Sequence, residues 1–302
     1  MREIHTGSLI FLIIFMLAML GFPASSSALE ILYTGCTNGK FENCRCPNDP
    51  LGAVEKRLAE IDRRRELDEV LLFDSGDFMP ALIDTLTSRY VVKAMKLQAF
   101  DAVGVGDQEI MQGRVILDDI IKNLPVVSAN IVFADGTPIA PKYKIIEKEG
   151  KKYAITAIIA PDALRFIPPE NVDYIKVLDP DNAISEVRDS IPDDVKLIVL
   201  SHAGEDADKK FAAKWEGVDL IIGGHSQSEI EGIIENTAIP IVQAGGNGRY
   251  LGVAKFRGPK VRAEIIPMRP ELPDDQRIID ILMLLKSDQA KYRLKVHNPH
   301  NH

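Results

Sequence analysis

The sequence predicts an α/β protein whose mixed β-sheets are flanked by helices. Short runs rich in valine, isoleucine and leucine alternate along the chain with amphipathic segments of helical period. Continuous apolar strands of this kind are typical of parallel sheets that are buried on both faces. Two hairpin-like segments, 142–159 and 250–268, add antiparallel strands. The expected architecture is therefore a sandwich of two mixed sheets with helices on its outer faces.

The first half of the chain alternates strands with helices. Leu51, Val54, Leu58 and Ile61 recur at helical spacing and predict the first helix. The predicted strands before the first hairpin are 30–35, 69–74, 101–106 and 125–131, and the predicted helices are 50–67, 82–100 and 115–124. The second half repeats this alternation, with helices at 180–191 and 205–216, strands at 195–201, 218–224 and 239–245, and a closing helix at 274–294.

Composition and charge exclude some classes of partner. The chain has 302 residues, of which 46% are apolar and 26% charged, as is usual for a globular protein. The formal net charge of −8 argues against nucleic acid or an anionic membrane as a partner, because both require a basic surface.

Residues 1–28 have the pattern of a cleaved secretory signal. Arg2 precedes the apolar run SLIFLIIFMLAMLGF, and the small residues of PASSSA lead to a cleavage site after Ala28. The alternative is a membrane anchor, for which the run is short. We expect a periplasmic or secreted protein with no membrane attachment after cleavage. Its single domain would cover 29–293, followed by a disordered tail at 294–302.

Potential metal ligands follow four of the predicted strands. EVLLFDSGD ends on Asp77, FDAVGVGDQE contains Asp107, VKLIVLSHAG contains His202, and VDLIIGGHSQ contains His225. In open α/β sheets, ligands bind beyond the carboxyl ends of the strands, so these side chains are expected to meet at one rim. A lone histidine at such a position is commonly structural. Two histidines matched by two aspartates in equivalent positions indicate a metal site.

A series of ordered motifs resembles a known family. The motifs are ILYTGCTNG, LFDSGD, FDAVGVGDQE, VVSANI, LIVLSHAG, LIIGGHSQ and IVQAGGNGRYLG. Together they are similar to the motifs of the bacterial 5′-nucleotidase family of calcineurin-like metallophosphoesterases. The resemblance runs from residue 30 to about residue 268 and covers the catalytic domain alone. It implies the calcineurin-like sandwich of two mixed sheets, and a small phosphorylated molecule as the substrate.

Four positions retain the residue types of the family's metal ligands. The resemblance places the bridging aspartate at Asp77 and the two histidines of the second metal position at His202 and His225. It places a ligand of the first metal position at Gln227.

Five positions depart from the family's motifs. An asparagine ligand is replaced by Asp107, which still offers an oxygen. The histidine that assists phosphoryl transfer is replaced by Gln108, and its aspartate partner by Met111. In the opening motif, Cys36 replaces an aspartate ligand and Asn38 a histidine ligand. Glutamine donates a hydrogen bond but cannot lend a proton, and losing a general acid usually costs a factor of about 10² to 10⁴ in rate.

The resemblance implies hydrolysis of a phosphate ester or anhydride by metal-activated water, with Asp77, Asp107 and Gln108 as the catalytic residues. One or two divalent cations, zinc, iron or manganese, are the expected cofactors, and a thiolate from Cys36 would favour zinc or iron. The altered motifs leave an alternative. This is a non-catalytic relative that binds metal or phosphate and uses its thiols in redox or sensing.

The three cysteines, Cys36, Cys44 and Cys46, lie in one short segment. Three interpretations compete. In the first, Cys36 ligates the metal and the other two cysteines lie close to it. In the second, a disulfide joins Cys36 to Cys44 or Cys46, which the oxidising surroundings of an exported protein permit. In the third, the thiols carry out redox work. An odd number of cysteines leaves at least one thiol unpaired within the chain.

Overall fold

The computed structural model describes residues 29–43, 47 and 50–297. The predicted signal at 1–28, Cys44, Cys46 and residues 298–302 lie outside the described residues. Within the described part of the chain, no helix combines the length and the apolar character that a membrane span needs. The predicted fold class is confirmed, because two mixed sheets carry helices on their outer faces.

The strands and helices follow each other as the alternating sequence pattern predicts. The strands are β1 (Glu30–Thr34), β2 (Val70–Asp74), β3 (Ala102–Val103), β4 (Ile131–Phe133), β5 (Tyr143–Lys148), β6 (Lys151–Ile159), β7 (Ile175–Val177), β8 (Lys196–His202), β9 (Leu220–Gly223), β10 (Ile241–Val242), β11 (Tyr250–Arg257) and β12 (Lys260–Pro267). The α-helices are α1 (Val54–Leu67), α2 (Thr85–Gln98), α3 (Asp107–Met111), α4 (Arg114–Asn123), α5 (Pro180–Ser190), α6 (Glu205–Ala212) and α7 (Gln276–His297).

Both main sheets have a parallel centre and an antiparallel side. The first has the order β12-β11-β1-β2-β3, in which β1, β2 and β3 are parallel and the hairpin β11–β12 is antiparallel to β1. The second has the order β10-β9-β8-β6-β5, in which β5 alone pairs antiparallel. The strands β4 and β7 form a separate antiparallel pair. The parallel strands of each sheet therefore end at one edge.

The core consists of one apolar layer between the sheets and one under each set of helices. On β2, Leu71 and Phe73 face the second sheet, whereas Val70 and Leu72 face the helices, as the period of two along a strand requires. Helices α1, α2, α4 and α7 cover the first sheet, and α5 and α6 cover the second. Each fully buried aliphatic or aromatic side chain contributes about 1.5–3 kcal/mol to this assembly.

The strand predicted at 125–131 is wrong over most of its length. Strand pairing there begins only at Ile131, apart from an isolated bridge between Val103 and Val126. The Asn130 side chain donates to the carbonyl oxygens of Ile159 at 2.8 Å and Leu178 at 3.0 Å, and it accepts from the Ile159 N–H at 3.1 Å. The N–H groups of Val127 and Ala129 donate to the carbonyl oxygens of Val103 and Ala157, so this segment makes isolated bonds to two strands and no continuous ladder.

Other boundaries also differ from the sequence-based expectation. The strands predicted at 101–106 and 239–245 are reduced to β3 and β10, and the loop 104–106 joins β3 to the short helix α3. The last helix continues to His297, beyond residue 293, where the sequence places the end of the domain.

Candidate metal centre

The predicted metal ligands come together at the edge where the parallel strands of both sheets end. Asp77 lies in the loop after β2, and Asp107 is the first residue of α3, which follows the short loop 104–106 after β3. His202 is the last residue of β8, and His225 follows β9. Each sheet therefore supplies one pair of ligands, as the positions after apolar strands predict.

One potential ligand atom from each of Asp77, Asp107, His202 and His225 lies within 4.8 Å of the other three. His202 Nε2 is 3.2 Å from Asp77 Oδ2 and 3.1 Å from Asp107 Oδ1. His225 Nδ1 is 3.1 Å from the same Asp107 oxygen. Two imidazole nitrogens and two carboxylates form a donor set that suits a divalent transition metal.

The orientation of His202 fits it for ligation. Its Nδ1 donates to the carbonyl oxygen of Ser75 at 2.8 Å, because a carbonyl can only accept. This contact fixes the ring and leaves Nε2 to face Asp77 and Asp107. A ligand histidine in a metalloprotein is typically held in this way through its second nitrogen.

Glycines allow the backbone to approach these ligands closely. A Cβ on Gly106 would lie 2.7 Å from His202 Nε2, and a Cβ on Gly224 would lie 3.0 Å from His202 Nδ1. Neither position leaves room for a larger residue unless the ring moves.

Several site residues adopt the left-handed backbone conformation that non-glycine residues rarely take. Their φ angles are 50° at Cys36, 54° at Asn38, 59° at Asp77, 67° at His225 and 55° at Gln227. Such strain costs of the order of 1–3 kcal/mol per residue and is concentrated at functional sites. The clustering of these residues supports a functional role for this edge.

Glu109 holds the backbone of the two loops that carry Asp77 and Asp107, and it was not predicted from the sequence. Its fully buried carboxylate accepts from the backbone N–H groups of Asp77 at 2.8 Å, Met79 at 2.9 Å and Gly106 at 2.8 Å. Burial, together with the charge of Asp77, raises the pKa of Glu109 to about 8. The available signal was a glutamate at the third position of a helix that begins after Gly106, which is half of a capping box.

The charges at the centre balance through the histidines. Burial raises the pKa of Asp107, but hydrogen bonds from His202 and His225 outweigh it and hold the pKa below the usual range. Burial likewise lowers the pKa of His202, yet Asp77 and Asp107 raise it well above its ordinary value. A proton on His202 therefore offsets the two carboxylates, and a bound cation would take its place.

Two of the other predicted ligands, Asn38 and Gln227, lie in a separate group of amides with Gln108 and Asn247, here called the amide cluster. Asn38 Nδ2 donates to Gln227 Oε1 at 3.1 Å and to Asn247 Oδ1 at 3.0 Å. Gln108 Nε2 donates to Asn38 Oδ1 at 2.8 Å. The cluster lines an open cleft of about 570 Å³ together with Lys40 and the loop 80–82. Asn247 was not predicted, since nothing in its local sequence marks it as a partner of Asn38.

Cys36 lies next to the centre but outside the group of four ligand atoms. The side chain is fully buried, and its Sγ accepts from the backbone N–H of His225 at 3.1 Å. Burial raises the pKa of the thiol to about 12. The predicted thiol cluster with Cys44 and Cys46 stays a prediction, because both partners lie outside the described residues.

Comparison with known proteins supports the family predicted from the motifs. No protein-family model matches the chain. The snake venom 5′-nucleotidase of Crotalus adamanteus is 26% identical over 324 residues, covering 93% of this chain and 54% of the relative. The 5′-nucleotidase of Bos taurus is 27% identical over 340 residues, covering 93% and 55%. These relatives support the assignment, made from the ordered motifs, to the 5′-nucleotidase family of calcineurin-like metallophosphoesterases. It spans about half the length of the curated relatives that it matches.

Solved structures agree with this family at the level of the fold. The 5′-nucleotidase precursor from Thermus thermophilus superposes with a TM-score of 0.74 at 23% identity, covering 87% of this chain and 59% of that one. The calcineurin-like phosphoesterase YfkN from Bacillus subtilis gives 0.70 at 20% identity, covering 88% and 98%. The family assignment made from the ordered motifs, and its restriction to one part of the longer relatives, is thereby confirmed.

Proposed function

We propose that the protein is an exported, metal-dependent phosphoesterase that hydrolyses a phosphate ester or anhydride, nucleotide-like or small. The observation that carries this proposal is the convergence of Asp77, Asp107, His202 and His225 at the carboxyl ends of four parallel strands. The family relationship supports hydrolysis over simple metal binding, since the relatives named above are 5′-nucleotidases.

The four ligands would hold a divalent cation, with zinc, iron or manganese as the proposed identities. Such a cation supplies Lewis-acid polarisation of a phosphoryl oxygen and lowers the pKa of water. The chain's own contribution is to fix the ligands. Ser75 orients His202 through its carbonyl oxygen, and the backbone N–H of Gln108 donates to Asp77 Oδ1 at 3.0 Å.

Gln108 limits the range of leaving groups. Its side chain donates to Asn38 Oδ1 and faces the cleft, but an amide has no proton to give to a departing alkoxide. Substrates whose leaving group departs without protonation, such as aryl phosphates and phosphoanhydrides, should therefore be preferred over alkyl phosphates.

The proposed location and domain limits follow from the chain and its relatives. Residues 1–28 would act as an export signal, 29–293 as one phosphoesterase domain and 294–302 as a tail. The presence of snake venom proteins among the relatives supports an extracellular or periplasmic setting for this family.

The proposal is tested by assaying the metal-loaded protein with an aryl phosphate, a nucleoside monophosphate and a nucleoside diphosphate. Asp77→Asn should abolish the activity, because it removes a buried ligand charge. Asp118→Asn, an exposed position on α4 paired with Arg114, is the matched control and should behave as the parent. Equal activity of the parent and Asp77→Asn with every substrate and metal would reject hydrolysis at this centre.

A further inference from the structure

We propose that this chain holds a single divalent cation, and that the amide cluster takes the place of a second cation by binding phosphoryl oxygens. The inference deepens the proposed function and rests on it. It starts from a difference within the predicted ligand set. Four predicted ligands converge on one point, whereas Asn38 and Gln227 are hydrogen-bonded to each other.

Charge decides how many cations the site can hold. One divalent cation among Asp77, Asp107 and two neutral imidazoles gives a neutral group, which is the favourable state for a half-buried site. The amide cluster contributes no carboxylate. A second cation there would share Asp77 and otherwise meet neutral side chains, so its charge would remain largely uncompensated.

The lone pairs of the amide cluster are also engaged. Asn38 Oδ1 accepts from Gln108, Gln227 Oε1 accepts from Asn38, and Asn247 Oδ1 accepts from Asn38. These are the oxygens that a second cation would need as ligands. Its binding would compete with three hydrogen bonds within the cluster, because each oxygen already gives one of its two lone pairs to an N–H donor. The first metal position of the family, to which Asn38 and Gln227 correspond, is therefore a poor fit to these residues.

The same cluster fits an oxyanion. The amide hydrogens of Gln227 and Asn247 lie on exposed side chains that line the cleft next to the centre. Lys40 lines the same cleft and adds a positive charge. Hydrogen-bond donors with one ammonium group form the chemistry that binds a phosphoryl group. Gln108 Oε1 is buried without a partner among the described residues, so it can accept from a phosphate hydroxyl or a water molecule.

The first experiment counts cations by their magnetic coupling. The full chain is loaded with excess Mn²⁺, and its electron paramagnetic resonance spectrum is recorded. We expect the signal of uncoupled Mn²⁺, whereas the spectrum of an exchange-coupled pair would overturn the inference. Free Mn²⁺ and ions bound elsewhere on the chain also give the uncoupled signal, so the deciding readout is the presence or absence of the coupled-pair spectrum.

A variant with a carboxylate and an imidazole at the altered positions should gain the second cation. Cys36→Asp combined with Asn38→His is expected to give the coupled-pair spectrum. Asn38→His alone, at a half-exposed position, serves if the double variant does not fold. An uncoupled spectrum in the folded variants would show that these residues do not set the number of cations, and would overturn that part of the inference.

The second experiment measures the binding of inorganic phosphate to the Mn²⁺-loaded protein by calorimetry. Asn38→Ala should weaken binding roughly five- to ten-fold, because Asn38 holds the side-chain oxygens of Gln227 and Asn247 and thereby orients their amide hydrogens towards the anion, and it should keep its uncoupled Mn²⁺ signal. Asn236→Ala is the matched control, because its φ of 61° is close to the 54° of Asn38 and it lies away from the cleft lining. Equal phosphate affinity in Asn38→Ala and the parent would overturn the role of the amides. Both readouts remain available if the protein hydrolyses nothing, so the two proposals fail separately.

Discussion

His202 at the end of β8 donates from Nδ1 to the carbonyl oxygen of Ser75, at 2.8 Å, and Ser75 directly follows β2. The two residues belong to different sheets, so this hydrogen bond joins the sheets at the edge where the ligands meet. The backbone of one sheet thereby sets the direction in which a side chain of the other presents its Nε2 atom. The centre depends on the sandwich as a whole.

His202→Ala should lower the affinity for a divalent cation by at least about 100-fold, because the variant loses one of four ligands. It should also lower stability, since Asp77 and Asp107 lose their shared partner in the protein without metal. Isothermal titration with Zn²⁺ measures the first effect. Thr156→Ala, which removes a fully buried hydroxyl bonded to the Lys142 carbonyl oxygen, is the control for destabilisation alone. Unchanged affinity in His202→Ala would contradict the assigned centre.

At about pH 9, above the raised pKa of Glu109, Glu109→Gln should destabilise the protein by about 1–3 kcal/mol, because an NH₂ group then faces a backbone N–H donor where the parent has a carboxylate oxygen. It should also weaken metal binding, since the backbone of Asp77 and Gly106 loses its acceptor. Urea unfolding and metal titration measure the two effects. The control is Glu147→Gln on the exposed face of β5. A variant with parental stability and affinity would show that Glu109 does not position the loop.

The ligands were predictable because their signal is local. An apolar strand followed by a glycine and a polar residue marks Asp77, Asp107 and His225 without any knowledge of packing. Glu109 acts through three backbone N–H groups from two separate loops, so its role exists only after the chain has folded. Asn247 is likewise brought to Asn38 from a distant part of the sequence.

The errors in the fold have similar physical causes. Residues 125–130 have strand-like composition, but their backbone makes only isolated hydrogen bonds to β3 and β6 and forms no continuous ladder, while the Asn130 side chain bonds to the backbone of Ile159 and Leu178. The alternation of apolar strands with amphipathic helices predicted the layers correctly, because the apolar face of each sheet or helix must pack against another apolar face. It carried no information on which carbonyl or amide a particular polar side chain would reach.

Asp208 should make stability depend on pH. Burial raises its pKa to about 7 from an ordinary value of 3.8, while a hydrogen bond from Ser201 Oγ at 2.5 Å opposes this. Between these two pH values the folded state binds more protons at Asp208 than the unfolded state does. The contribution of Asp208 to the free energy of unfolding therefore falls as the pH rises from about 4 to about 7.

Asp208→Asn removes this titration. Urea unfolding of the parent and the variant at pH 5 and pH 7.5, both with a chelator, gives two differences in stability. We expect the free energy of unfolding of the variant, relative to that of the parent, to be larger at pH 7.5 than at pH 5. The reason is that the parent must bury a charge at the higher pH. Other titrating groups cancel in the comparison. If the stability difference between variant and parent is the same at both pH values, or favours the parent more at pH 7.5, a raised pKa for Asp208 is contradicted.

Gln108→His should widen the range of leaving groups. The Gln108 side chain is nearly buried beside the cleft and donates to Asn38 Oδ1, so an imidazole at this position would face the same space. Imidazole can donate a proton to a departing alkoxide, and general-acid catalysis of this kind is worth at least about ten-fold when the leaving group is poor. An aryl phosphate gains little, because its phenolate departs without protonation.

The measurement is therefore the ratio of kcat/KM for an alkyl phosphate to that for an aryl phosphate, in the parent and the variant. We expect this ratio to rise about ten-fold or more and to fall off at high pH as the imidazole loses its proton. Gln112→His, one helical turn further on and bonded to the loop carbonyls of Pro80 and Leu82, is the control that should leave the ratio unchanged. A parental ratio in Gln108→His would show that the missing acid is not what limits this site.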